Sequence, residues 1–171
     1  MATRDWKGTV KTGANTIGPF TVDANNQVIN PTQPAFIATL GSGVANQTGD
    51  GTAYTIICNT EIKDQNADYN TTTGIFTAPV AGLYQCSGIV QLNGLAVGNT
   101  TCYFELVTSN RTYELFYCNL VGALGTVVML TGSMLCDMDA ADTAFLRITV
   151  DGGTKVVDIE TGTKFTGFLA C

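Results

Sequence analysis

The sequence predicts an all-β fold, a sandwich of about ten short strands preceded by an extended N-terminal arm, on three observations. From Ala35 onward, apolar and polar residues alternate in short runs, the period of a half-buried strand. No apolar pattern recurs at helical spacing over the length of a helix. Turn residues break the runs repeatedly: Gly41-Ser-Gly43, Thr48-Gly-Asp-Gly51, Gly94 to Asn99, Ser109-Asn110 and Asp151-Gly-Gly153. Glycine there supplies positive φ, and Asn or Asp supplies local hydrogen bonds.

Residues 1–33 come first and read differently from the rest. Their large apolar residues, Trp6, Val10, Ile17, Phe20, Val22, Val28 and Ile29, are too scattered in a Gly-, Asn- and Thr-rich stretch to close a core. Arg4, Lys7 and Lys11 outnumber Asp5 and Asp23 by one, so residues 34–171 carry −7 of the chain's −6 total. Fully extended, such an arm spans roughly 100 Å. A tryptophan near the terminus is costly to leave in water, since burying an aromatic is worth about 1.5–3 kcal/mol. Two readings are open: the arm packs on its own domain or a sister subunit, or it attaches to another protein through Trp6, Val10, Ile17, Phe20 and Val22.

Residues 34–171 then form one domain. The strands expected in it are Ala35–Leu40, Thr52–Cys58, Gly74–Thr77, Gly82–Leu92, Thr101–Ser109, Arg111–Asn119, Thr126–Asp137, Thr143–Asp151, Lys155–Glu160 and Thr163–Cys171. Leu83–Leu92 shows ordinary in-out alternation and needs one core. Thr112–Cys118 is apolar on both faces, Tyr113, Leu115 and Tyr117 against Phe116 and Cys118, and so is Thr126–Cys136. A two-layer sandwich buries only one face of each sheet, so a second apolar face implies a subunit interface. Phe116, Cys118, Val128, Leu130 and Met134 are the candidates for it.

Composition excludes several function classes. The 171 residues (18.0 kDa) are 45% hydrophobic and only 13% charged, against roughly 25% charged in ordinary soluble domains. A net charge of −6 and a pI near 4.3 disfavour binding to phosphate backbones, so nucleic acid is not expected as a partner. No apolar run approaches the roughly 20 residues of a membrane-crossing helix. The chain has no histidine, which removes Ser-His-Asp, Cys-His and HExxH chemistry and histidine pH switches. No CxxC spacing occurs among Cys58, Cys86, Cys102, Cys118, Cys136 and Cys171, and four of them sit in apolar runs, so reduced, structural cysteines are expected. The N-terminus lacks the basic start and apolar stretch of a secretory signal, in keeping with a reducing cytoplasm. The Asn-x-Thr triplets at Asn46, Asn70, Asn99 and Asn110 are then incidental to a threonine-rich chain. Asp137, Asp139 and Asp142 could hold a hard cation, but the EF-hand pattern fails for want of the loop glycine and distal Glu. A solvated acidic turn is the expectation, with neither catalytic residues nor a cofactor.

One segment goes beyond periodicity: Tyr69-Asn-Thr-Thr-Thr-Gly74-Ile-Phe76-Thr-Ala-Pro79-Val-Ala-Gly82-Leu-Tyr84. It resembles the signature Y-[DN]-x-x-T-G-x-F-x-x-P-x-x-G-x-Y of C1q-like domains. The likeness extends to Pro34-Ala-Phe36-Ile-Ala38, to the stretch around Gly132–Asp142, and to the closing Phe165-Thr-Gly167-Phe168-Leu169. Physically, Gly74 and Gly82 permit tight turns, Pro79 stiffens the corner, and Phe76 and Tyr84 enter the core. The resemblance implies a ten-stranded C1q/TNF-like jelly roll that associates in threes. Residues 1–33 contain no collagenous Gly-X-Y stalk, and Gln85-Cys86 stands where an aromatic pair is usual.

Similar domains occur in bacteriophage structural proteins, as head decorations and at fibre tips. The leading functional expectation is accordingly a homotrimeric capsid decoration or cement protein of a tailed bacteriophage, present in the virion after assembly in the host cytoplasm. Its partner would be the major capsid protein or another virion protein, held by the arm. The runner-up is a receptor-binding tip of a tail fibre, recognising a bacterial surface glycan through loops and aromatics such as Tyr103 and Tyr113. A secreted C1q-like ligand, which would require oxidised cysteines, is the third.

Overall fold

The computed structural model describes residues 11–12, 15–16, 21–22, 25, 27–120 and 127–170. The chain divides into two compact units, Met1–Gln33 and Pro34–Cys171. In the first, β1 (Lys11–Thr12) pairs antiparallel with β2 (Asn15–Thr16), and β3 (Thr21–Val22) with β4 (Val28–Ile29). The segment folds back twice, so its reach is shorter than full extension gives. Val22 lies in β3; Trp6, Val10, Ile17 and Phe20 fall outside the described residues.

The second unit contains β5 (Ala35–Thr39), β6 (Val44–Thr48), β7 (Ala53–Ile56), β8 (Thr60–Asp64), β9 (Tyr69–Asn70), β10 (Ile75–Thr77) and β11 (Gly82–Asn93). It continues with β12 (Thr101–Thr108), β13 (Thr112–Asn119), β14 (Val127–Met138), β15 (Thr143–Val150), β16 (Val157–Ile159) and β17 (Lys164–Leu169). All ten expected strands are present, with ends within two residues of expectation. The additional three are β6, β8 and β9, and each lacks the pattern that marks a strand in sequence. Asn46 interrupts β6 at φ 58°, β8 is exposed along nearly its whole length, and β9 has two residues.

Two antiparallel sheets form. One has six strands in the order β13-β12-β15-β10-β9, with β7 also on β15; the other has seven, β6-β16-β11-β17-β5-β8, with β14 on the free flank of β11. Strict alternation explains the layering. Cys102, Phe104 and Leu106 of β12 and Ala144, Leu146, Ile148 and Val150 of β15 point inward from the six-stranded sheet, all fully buried. Tyr84, Cys86, Val90 and Leu92 of β11 and Phe165 of β17 meet them from the seven-stranded sheet. Burying each large side chain is worth about 1.5–3 kcal/mol, which makes this two-layer packing the main source of cohesion.

An aromatic cluster closes one end of that core. Phe36 stacks on Tyr69 at 4.9 Å and on Phe76 at 4.8 Å and meets Phe165 edge-on at 4.9 Å. The backbone turns sharply beneath it at Gly74, φ +75°, where a Cβ would stand 2.7 Å from the Ile56 carbonyl oxygen. Only glycine fits there. Gly82 differs from the expectation: it opens β11 at an ordinary strand φ, so the turn duty falls on Gly74 alone of the two.

Candidate assembly surface

The outer face of the seven-stranded sheet is built by register. Along β11 and β14 the outward pairs are Leu83–Asp137, Gln85–Leu135, Ser87–Ser133, Ile89–Thr131, Gln91–Met129 and Asn93–Val127, with one ionisable group among them. The next strands continue the rows: Gln85 faces Phe168, which faces Ala35, and Ser87 faces Thr166, which faces Ile37. Large apolar side chains stand in solvent on this face, Met129 at 60% exposure, Val127 at 53%, Phe168 at 47% and Leu135 at 46%. Between β5, β8 and β17 the face dips into a groove of about 330 Å³ lined by Ala35, Ile37, Lys63, Thr166 and Phe168. Lys63 and Lys164 lie on the β8–β17 side of this face and Asp137 on the β14 side.

The outer face of the six-stranded sheet has a different chemistry. Tyr103 lies beside Tyr117, their rings 5.2 Å apart, and the adjacent row runs Glu114–Glu105–Arg147–Thr55. The Arg147 guanidinium donates to Glu105 at 2.8 Å, and that hydrogen bond holds Arg147 more firmly protonated than usual. Charged and hydroxyl-bearing, this face suits water.

The residues picked from sequence for a subunit interface lie elsewhere than expected. Leu130 is part of the core, and Cys118, Val128 and Met134 pack against it. On β14 the exposed apolar residues are the odd-numbered ones, Val127, Met129 and Leu135, so the face available to a partner is the opposite of the one selected. On β13 a bulge is responsible. Phe104 pairs with Phe116 but Glu105 with Glu114, leaving Leu115 as the extra residue. Parity reverses there, so Tyr113, opposite buried Leu106, and Cys118, opposite buried Cys102, share the inner side. Phe116, opposite buried Phe104, is directed to that side too and stays half-exposed at the sheet edge. Tyr113 and Tyr103 consequently face opposite sides of one hairpin and cannot form a joint aromatic platform; Tyr117 is the partner of Tyr103. No sequence signal marks a bulge without glycine, whereas the odd-numbered stripe of β14 was visible as an equal alternative.

The acidic segment is a closed turn. Both Asp142 carboxylate oxygens are engaged, accepting from Ser109 Oγ at 2.8 Å, Asn110 Nδ2 at 2.6 Å and the Asp139 amide at 2.7 Å. These donors, the Asp139 amide foremost, hold its carboxyl below the usual range. Asp137 pairs with Arg111 at 3.3 Å. Among the described residues no group of three acidic or cysteine side chains is placed to hold a metal. Cys58, Cys86, Cys102, Cys118 and Cys136 are free thiols, and Cys171 lies outside the described residues. Burial pushes the Cys58 thiol up to about 12.

With this architecture in view, a family model described as the C1q domain matches residues 35–170. The chain belongs to the C1q domain family. Among solved structures, the globular domain of zebrafish complement 1qA is 18% identical and superposes with a TM-score of 0.58, covering 81% of this chain and 98% of that one. Murine APRIL is 10% identical at a TM-score of 0.52 with the same coverage. At those identities both show the fold alone. No curated protein matches the sequence.

C1q domains are generally binding and structural modules rather than enzymes, and they typically associate as homotrimers. In this member the signature residues serve the fold and leave the surface free. Tyr69 donates through its hydroxyl to the Cys58 carbonyl at 3.0 Å, and Tyr84 to the Val80 carbonyl at 2.8 Å, tying the corner around Pro79 to the strands on either side. Gly167 leaves space for Phe36, whose Cε1 would lie 2.6 Å from an added Cβ.

Proposed function

We propose that this C1q domain is a non-enzymatic assembly module that works as a homotrimer, and that it decorates or cements the head of a tailed bacteriophage, held there by residues 1–33. The observation that carries the trimeric reading is the outer face of the seven-stranded sheet, where exposed Leu135, Met129, Val127 and Phe168 stand among hydroxyls and amides with almost no charge. A threefold ring joins two different patches of each copy. The two sides of this face differ in the same way, one bearing Lys63 and Lys164 and the other the Arg111–Asp137 pair.

The shell-binding part rests on residues 1–33, whose +1 balance contrasts with the −7 of the domain, and on the occurrence of C1q-like domains among phage head and fibre proteins. A trimer that binds only assembled shell shifts the equilibrium toward the intact shell, and three arms on one trimer add avidity. The second reading, a fibre tip that recognises a bacterial glycan, is favoured by the Tyr103–Tyr117 pair on the other sheet, in which Tyr117 is half exposed.

Sedimentation of the full chain tests the first step. The expected mass is three times 18.0 kDa, and an 18.0 kDa particle overturns it. Deleting residues 1–33 is expected to leave a folded trimer that no longer occupies the parent particle. Retained occupancy overturns the role of the arm, and density at a fibre tip rather than on the head decides for the second reading.

A further inference from the structure

Five thiols lie in the described part of this domain, and they are not equivalent. Cys102 of β12 and Cys118 of β13 are direct cross-strand partners whose thiols interact electrostatically. Directly opposed residues of an antiparallel pair have Cα atoms about 4.5–5.5 Å apart, inside the roughly 4.4–6.8 Å range that a disulfide spans. Cys102 is fully buried, while Cys118 is partly open to solvent.

Cys86 and Cys136 are neighbours that interact electrostatically but lie on a diagonal: Cys86 faces Met134, and Cys136 faces Tyr84. Diagonal neighbours are about 7–8 Å apart, at or beyond the limit for a bond, and both residues are fully buried. Cys58 is buried and, among the described residues, stands opposite no other cysteine in a strand pair.

Position gives the Cys102–Cys118 pair a mechanical consequence. β13 is an edge strand of the six-stranded sheet, paired with β12 alone among the described residues. Its hairpin is well tied at the turn, where Thr108 Oγ1 donates to the Arg111 carbonyl at 2.9 Å and Asp142 receives Ser109 and Asn110. The opposite end, where the strand leaves the sheet, is held by the Leu120 amide on the Thr100 carbonyl. Cys102 and Cys118 sit at that end.

We propose that Cys102 and Cys118 are a built-in oxidation site, closed to a cross-strand disulfide when the folded protein meets a disulfide oxidant, so that the open end of the edge hairpin becomes covalently fixed. With glutathione disulfide, the Cys118 thiolate attacks one sulfur and expels one glutathione thiolate, leaving a mixed disulfide on Cys118. Cys102, deprotonated in turn, attacks the Cys118 sulfur and expels the second glutathione. Two thiols lose two electrons, the glutathione disulfide gains them, and the two thiol protons end on the two released glutathiones. The site is independent of whether the domain decorates a head or tips a fibre.

The test is to incubate the full chain with glutathione disulfide at mildly alkaline pH, block free thiols after unfolding, and map the peptides. The expected product has lost two hydrogens, links the peptides of Cys102 and Cys118, and leaves Cys58, Cys86 and Cys136 alkylated. Its unfolding temperature is expected to rise by roughly 5–10 °C and to return on reduction. In Cys102→Ser, glutathione is expected to remain on Cys118; Cys86→Ser, outside the pair, is expected to form the disulfide unchanged. A different linkage, a stable mixed disulfide on Cys118 in the unmutated protein, or both cysteines fully alkylated would each overturn the proposal.

Discussion

Gly88 and Gly132 lie directly opposite each other across β11 and β14, and both face the interior. The first makes room for the facing sheet: a Cβ there would stand 2.7 Å from Phe104 Cζ and 2.8 Å from Leu146 Cδ1. The second lets β14 approach β13, where a Cβ would stand 2.6 Å from Leu115 Cβ and 2.8 Å from its carbonyl oxygen. Two strands of opposite sheets thereby close one side of the sandwich. Gly88→Ala is expected to cost about 1–3 kcal/mol, since side-chain tips can shift to relieve it. Gly132→Ala meets backbone and is expected to cost more. Urea midpoints of the two variants check the order, and equal midpoints to the parent would show that the gap is not tight.

Tyr69 separates packing from hydrogen bonding within the aromatic cluster. Tyr69→Phe keeps the stack on Phe36 and removes the bond to the buried Cys58 carbonyl, an expected loss of about 1–2 kcal/mol. Phe36→Ala empties the centre of the cluster and is expected to cost about 3–5 kcal/mol. The two denaturation curves, measured side by side, give the ratio.

Thr48 is a buried hydroxyl with a fixed assignment. It donates to the Thr52 carbonyl at 2.7 Å and accepts the Val150 amide at 2.9 Å, joining β6 to the end of β15. Thr48→Val leaves that amide without an acceptor and is expected to cost about 1–3 kcal/mol. Hydrogen exchange at the Val150 amide should accelerate first.

How far these features were legible follows from what each depends on. The core strands β11, β12 and β15 alternate without interruption, so one residue of known direction sets all the others. The corner from Tyr69 to Tyr84 carries its own chemistry in Gly74, Phe76 and Pro79. The interface residues were misjudged where direction depends on the partner strand. Parity along β13 reverses at the Leu115 bulge, and on β14 both stripes are apolar, so only the pairing with β11 decides that Leu130 goes in and Met129 goes out. Edge strand β8 was invisible because no face of it is buried against a core.

Asp142 and Asp50 are the two described carboxylates whose depressed pKa places them on the acid limb of stability. The Asp142 carboxyl sits below the ordinary 3.8 in the folded protein, held there by the Asp139 amide, Ser109 and Asn110. A depressed carboxylate contributes its stabilisation in full above the unfolded value and loses it as pH falls through the lower, folded value. The expected loss therefore falls below about pH 4. Asp142→Asn should flatten part of that limb of the stability profile and leave the neutral-pH fold in place. An unchanged acid limb would assign it to other groups.

The assembly surface can be challenged without touching the core. Leu135 and Phe168 stand on the outer face of the seven-stranded sheet, each beside Gln85 and each about half exposed. In the separate chain a carboxylate at either position is hydrated, so Leu135→Glu and Phe168→Glu are expected to keep the unfolding midpoint of an isolated subunit. In a closed ring the same carboxylate is stripped of water three times over, with Lys63, Lys164 and the Asp137-paired Arg111 the cations near this part of the sheet among the described residues. The double variant should sediment as a folded single chain. Tyr117→Glu, on the charged outer face of the other sheet, should leave the oligomer intact. If Tyr117→Glu dissolves the assembly and the double variant does not, the six-stranded sheet is the face through which the copies meet.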